Sequence, residues 1–86
     1  MLKSQYEEGL KALDAEQYQE AITVFTQVIQ GNYKEKEVYA RRGQAYFLLK
    51  DYNKAKSDLD EAVKSHVNTD YLFAYRGLTH YELKKL

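Results

Sequence analysis

The chain has no cysteine, which excludes disulfides, thiolate nucleophiles and thiolate metal sites together. It has no proline and only four glycines among its 86 residues, so it holds no flexible or proline-rich linker and is expected to form one domain. Net charge is lacking too, because 13 lysines and arginines balance 13 aspartates and glutamates. A balanced surface offers no global attraction to DNA, RNA or an anionic membrane. No apolar run approaches the roughly 20 residues that a membrane-crossing helix needs. The amino-terminal MLKSQYEEGLKAL turns acidic within a few residues, unlike a secretory or transit signal. These absences lead to the expectation of a soluble, cytoplasmic protein.

What the chain does have is helical periodicity. Tyr6, Gly9, Leu10 and Leu13 form one stripe over a first helix from Leu2 to about Ala15, with Ser4 as its candidate cap. A second helix opens at Tyr18, carries Ala21, Ile22, Phe25, Val28 and Ile29, and is expected to stop at Gly31-Asn32, two residues that tolerate left-handed backbone. A short polar link through Lys34 follows. Ala40, Gly43, Tyr46 and Phe47 define a third helix from about Lys36 to Leu49, and Ala55, Leu59, Ala62 and Val63 a fourth from about Tyr52 to Ser65. Asp51 can accept hydrogen bonds from the free N–H groups where the fourth begins. Asn68-Thr69-Asp70 supplies a cap for a fifth helix through Tyr71, Phe73, Ala74, Gly77, Leu78 and Tyr81. The mixed charges Lys54, Lys56, Asp58, Asp60, Glu61 and Lys64 fit a solvated face, worth tenths of a kcal/mol per pair.

These helices repeat. Gly9, Gly43 and Gly77 stand at a constant step of 34, and Tyr18 and Tyr52, Ala21 and Ala55, Ala40 and Ala74, Arg42 and Arg76, Leu49 and Leu83 keep the same step. Phe25 falls on Leu59, and Tyr39 on Phe73. A mid-helix glycine costs roughly 0.5–1 kcal/mol relative to alanine, so its recurrence suggests a close helix crossing where a side chain would collide. A period near 34 in helix–turn–helix units resembles the tetratricopeptide repeat (TPR) family, and the likeness runs from end to end. It departs from the family at Tyr33 and Val67, where proline is usual, and at Glu8, Arg42 and Arg76, where leucine is usual. The resemblance implies an all-α, right-handed solenoid of five helices: one repeat at about 2–34, a second at about 36–68, and an unpaired or capping helix at about 69–86.

The resemblance also implies a role. TPR domains bind a peptide or helix of another protein in a hollow lined by the first helix of each unit, here Tyr6, Leu10, Leu13, then Arg41, Gln44, Phe47, Leu48, then Tyr71, Tyr75, Leu78, with Lys3, Glu37 and Ala40 beside them. Members that clamp chaperone C-terminal tails use basic and asparagine side chains, and the matching places hold Tyr6, Leu10, Arg41, Tyr71 and Tyr75, of which only Arg41 suits a carboxylate. A chaperone tail is therefore not the expected ligand. RNA stacking on Tyr6, Phe47 and Tyr75 is disfavoured by the zero net charge.

The alternative is a structural or assembly segment that stacks through its last helix. The side that would receive a following helix carries Phe73, Gly77 and His80, so either the chain is part of a longer array or that surface pairs with another copy, giving a homo-oligomer. No catalytic, cofactor-binding or metal-binding residue is expected. His66 and His80 lack carboxylate partners at a productive spacing, Ser4, Ser57 and Ser65 lie in no nucleophile motif, and the recurring glycines Gly9, Gly43 and Gly77 are spread one per unit rather than gathered in a phosphate loop.

Overall fold

A computed structural model describes residues 1–33 and 35–85. Among them are five α-helices and no strand: α1 (Leu2–Asp14), α2 (Tyr18–Gln30), α3 (Val38–Leu48), α4 (Tyr52–Lys64) and α5 (Asp70–Lys85). None is long and apolar enough to cross a membrane. Lys34, expected in the second link, lies outside the described residues. The links after α1 and α3 are too short to let the next helix run on in parallel, so α1/α2 and α3/α4 form antiparallel pairs. The result is the all-α stack of helix pairs that the repeat implies, and its extents of 40 × 26 × 20 Å are those of an elongated pile.

The first four helices end alike. Glu16, Asn32, Lys50 and His66 have φ of 62°, 59°, 67° and 65°. Just past each, the N–H of Gln17, Tyr33, Asp51 or Val67 donates back to the carbonyl of Ala12, Val28, Tyr46 or Ala62 at 2.8–3.3 Å. This is the Schellman closure, in which one left-handed residue satisfies the last free carbonyls. Asn32 was expected to turn left-handed and does, whereas Gly31 stays right-handed at φ −81°. The other three sites use ordinary residues, at about 1–2 kcal/mol each for the crowded Cβ.

Helix starts are less uniform. Asp51 caps α4 as expected, accepting from the N–H of Lys54 at 3.4 Å. Ser4 is no cap, because α1 already begins at Leu2 behind Met1. Nor does Thr69 cap with its side chain: its Oγ1 is buried without a partner, and its carbonyl accepts from Phe73 N at 3.5 Å. The third helix begins two residues later than expected, because a turn comes first. In it Glu37 N donates to the Glu35 carboxylate and Val38 N to the Glu35 carbonyl, both at 3.2 Å.

Two cores share α3. Val38 and Ala45 join Tyr6, Leu13, Ile22, Phe25 and Val28 in the first, while Ala40 joins Ala55, Leu59, Ala62, Val67 and Leu72 in the second. The recurring glycines are explained by side chains rather than by touching backbones. A Cβ on Gly9 would come within 2.8 Å of Phe25 Cδ1, and one on Gly43 within 2.9 Å of Leu59 Cδ2. Phe25 and Leu59 are fully buried, and each such burial contributes about 1.5–3 kcal/mol. Gly77 is the exception: nothing lies within 4 Å of where its Cβ would stand.

Two sets of substitutions check this account in denaturant melts. Gly9→Ala, which drives a methyl into the Phe25 ring, should lower stability by about 1–3 kcal/mol. Gly77→Ala, in open space on a helix, should instead raise it by about 0.5–1 kcal/mol. Lys50→Gly, at a left-handed helix end, should likewise gain about 0.5–1 kcal/mol, and a loss there would contradict the closure described.

Candidate functional site

The helices make a curved layer. α1 touches α3, and α3 touches α5, whereas among the described residues α2 and α4 do not meet. Inner neighbours in contact and outer neighbours apart give a sheet of helices concave on the side of α1, α3 and α5. That side is where the expected binding residues belong, and the coordinates divide them into three groups.

The first group is core. Leu13 is 6 % exposed and Tyr6 9 %, with the Tyr6 ring 5.8 Å from Phe25 and 6.4 Å from Tyr33. Their expected place in the lining is corrected: α2 and the segment after it cover that part of α1. Ala40 is likewise fully buried, against α4.

The second group is a polar junction between α3 and α5. The Tyr71 hydroxyl donates to Glu37 Oε2 at 3.2 Å, and the Arg41 guanidinium lies 4.0 Å over the Tyr71 ring. Arg41 Nη1 donates to Gln44 Oε1 at 3.3 Å, while its Nε is buried without a hydrogen bond, 4.0 Å from Glu37. The Tyr6 hydroxyl is pushed up to about 12 from its ordinary 10.0, by burial first and then by the negative charges of Glu35 and Glu37, with Arg41 opposing. Tyr71 is raised as well, by burial first, opposed by Arg41 and reinforced by Glu37. Glu35 was not foreseen as a neighbour of this junction. Its signal lay in the short link, which places it beside α1.

The third group is apolar. Phe47 stands at the centre, 5.4 Å from Tyr52 and edge-on to Tyr75 at the same separation. Leu10 and Leu48 are half-buried against the first core, and Leu78 is 48 % exposed. Aromatic pairs of this kind add about 0.5–1.5 kcal/mol beyond their burial and hold the rings in place. An open recess lined by Ile29, Tyr33, Val38 and Tyr39 lies at the α2–α3 link and shares none of these residues.

Behind the hollow lies a contact that the charge pattern concealed. Asp58, expected on the solvated face of α4, is buried, and both its oxygens accept from Arg42, Nε at 2.7 Å and Nη2 at 2.8 Å. Arg42 Nη1 also donates to Thr26 on α2 at 3.2 Å. Burial raises the Asp58 carboxyl, with Arg42 opposing, and the Asp58 hydrogen bond holds Arg42 charged. His66 is exposed at the left-handed end of α4, and His80 is exposed on α5. Among the described residues no three of His, Asp and Glu gather as a metal site.

A family model described as tetratricopeptide repeat matches residues 12–75. Sperm-associated antigen 1 of Homo sapiens is 29 % identical to the chain over 82 residues, 95 % of this chain and 9 % of that protein. The chain therefore spans about a tenth of the length of that relative.

The raised tyrosines set an alkaline limit. A phenol favoured as neutral in the fold contributes stability that is fully present below its unfolded value near 10 and is lost as pH rises through its folded value of about 12. Tyr6→Phe should flatten that decline in chemical melts taken between about pH 10 and 12, leaving the part due to Tyr71.

Proposed function

The chain belongs to the tetratricopeptide repeat family, whose members serve broadly as protein-interaction modules, and from that premise we propose that this one binds a segment of a partner protein, an extended peptide or a helix, along the hollow of α1, α3 and α5. The observation that carries the reading is the edge-on pair of Phe47 and Tyr75, apolar surface shared by α3 and α5, with Leu78 three residues further along α5 and 48 % exposed. Aromatic side chains with few rotatable bonds lose little entropy on contact, so they suit a docking surface. The junction of Glu37, Arg41, Gln44 and Tyr71 adds polar recognition beside it. Because its one guanidinium is flanked by Glu37, the junction is a poor cradle for a run of carboxylates. The ligand that fits is apolar or aromatic with few acidic residues.

A second reading is favoured by α5 itself, whose outer side exposes Phe73 at 48 % and Tyr81 at 61 %. On that reading the domain also assembles with other helices through α5.

The groove reading is tested by selecting displayed peptides against the purified domain and measuring the affinity of the recovered sequences. Leu78→Asp should weaken binding at least about tenfold, roughly 1.4 kcal/mol. Being exposed, the change should alter folding stability by no more than about 0.5 kcal/mol. Retained affinity in Leu78→Asp would take the groove reading down.

A further inference from the structure

The inner side of the stack is laid out in rows. Glu37 and Tyr71, one repeat apart, are in contact, so the 34-residue step carries a residue of one inner helix to its neighbour on the next. Stepping Arg41, Gln44 and Leu48 back by one repeat gives Glu7, Leu10 and Asp14 on α1. Stepping them forward gives Tyr75, Leu78 and Glu82 on α5. On α1 the buried side is formed by Tyr6, Gly9, Ala12 and Leu13, while Glu7 and Asp14 are exposed with the half-buried Leu10 between them. At 1.5 Å per residue these two carboxylates stand about 10 Å apart along one strip of the helix.

Charge is unevenly divided between this side and the rest of a neutral chain. With Lys3 and Glu37 included, the inner rows hold four carboxylates, Glu7, Asp14, Glu37 and Glu82, against two cations, Lys3 and Arg41. Arg41 is already engaged: it donates to Gln44 at 3.3 Å, lies 4.0 Å over the Tyr71 ring and stands 4.0 Å from Glu37. Glu82 has Lys85 at 3.0 Å. Among the described residues Glu7 and Asp14 take part in no ion pair.

We propose that the segment held in the hollow is basic, with apolar side chains over the row of Leu10 and Leu78 and lysines or arginines that meet Glu7 and Asp14. This rests on the groove reading and gives its partner a chemistry. Exposed charges of opposite sign steer the encounter and reject acidic competitors, while the apolar contacts supply most of the affinity. A nucleic acid is disfavoured by the same excess of carboxylates, because its phosphates would face them. A further helix pair stacked on the pile would lengthen this inner layer rather than cover it.

The test is a selection of random displayed peptides against the purified domain at about 50 mM salt, where exposed charges are weakly screened. Recovered peptides should carry more lysine and arginine than aspartate and glutamate. Their affinity should fall at least about tenfold for Glu7→Lys/Asp14→Lys, and at least about threefold when salt is raised tenfold. Glu8→Lys/Glu20→Lys makes the same change in net charge at a separate recess between α1 and α2, and should leave affinity within about twofold. All four residues are exposed, so both variants should melt as the unaltered protein does. Recovered peptides that are neutral or acidic, or whose affinity ignores Glu7→Lys/Asp14→Lys, overturn the inference. If Leu78→Asp still releases those peptides, the groove reading stands without it. Peptides indifferent to both sets of changes, or a selection that recovers none, would remove the groove reading as well.

Discussion

A helix buried on two sides has little surface left for anything else, and α3 is such a helix. Val38 and Ala45 face one core while Ala40 and Gly43 face the other. With about 3.6 residues per turn, two buried strips leave one narrow third strip, and Arg41, Gln44, Phe47 and Leu48 occupy it. The small residues and the composition of the third strip are therefore consequences of one constraint. Alanine and glycine let both neighbours approach, and the side chains that remain are crowded together on the inner side of the stack.

Arg42 falls at the margin between the two buried strips, where a charge is costly unless it is paired. Its planar guanidinium meets Asp58 through two parallel bonds, a geometry that tolerates little rotation of α4 against α3. Removing one partner of a buried pair commonly costs about 3–5 kcal/mol, whereas replacing both with apolar groups is often neutral. The pair is thus better understood as fixing how the second hairpin closes than as adding net stability. Its bond to Thr26 extends that control to the joint between hairpins.

The architecture was legible because packing repeats. Glycine at a constant step, aromatic and alanine positions keeping the same step, and Asp51 ahead of an apolar stripe each correspond to a physical event in the stack. Asp58 was not legible, because in sequence a buried acid looks like its solvated neighbours Asp60 and Glu61; only Arg42, 16 residues earlier on the facing helix, reveals it. Tyr6 and Leu13 share a periodicity with the hollow, and nothing local says that both are taken into the first core, Tyr6 with the ring of Tyr33 from beyond α2 against it. The left-handed helix ends at Glu16, Lys50 and His66 were hidden for a related reason: backbone hydrogen bonding imposes a conformation that those side chains do not prefer. Along α3 and α5 the shared periodicity does translate into contact, with Arg41 over the Tyr71 ring and Phe47 edge-on to Tyr75.

The curvature of the hollow has its own fastening. Glu37 and Tyr71 are 34 residues apart, equivalent places in successive repeats, and the hydrogen bond between them spans α3 and α5. The contact of Phe47 with Tyr75 spans the same two helices. Each ties the inner layer at a set separation, one through a polar contact and one through an apolar contact. A surface held in this way before a ligand arrives need not be ordered on binding, and each rotamer-rich side chain that stays put spares about 0.5–1.5 kcal/mol. The contacts that join α3 to α5 are therefore also the contacts that hold the inner side rigid.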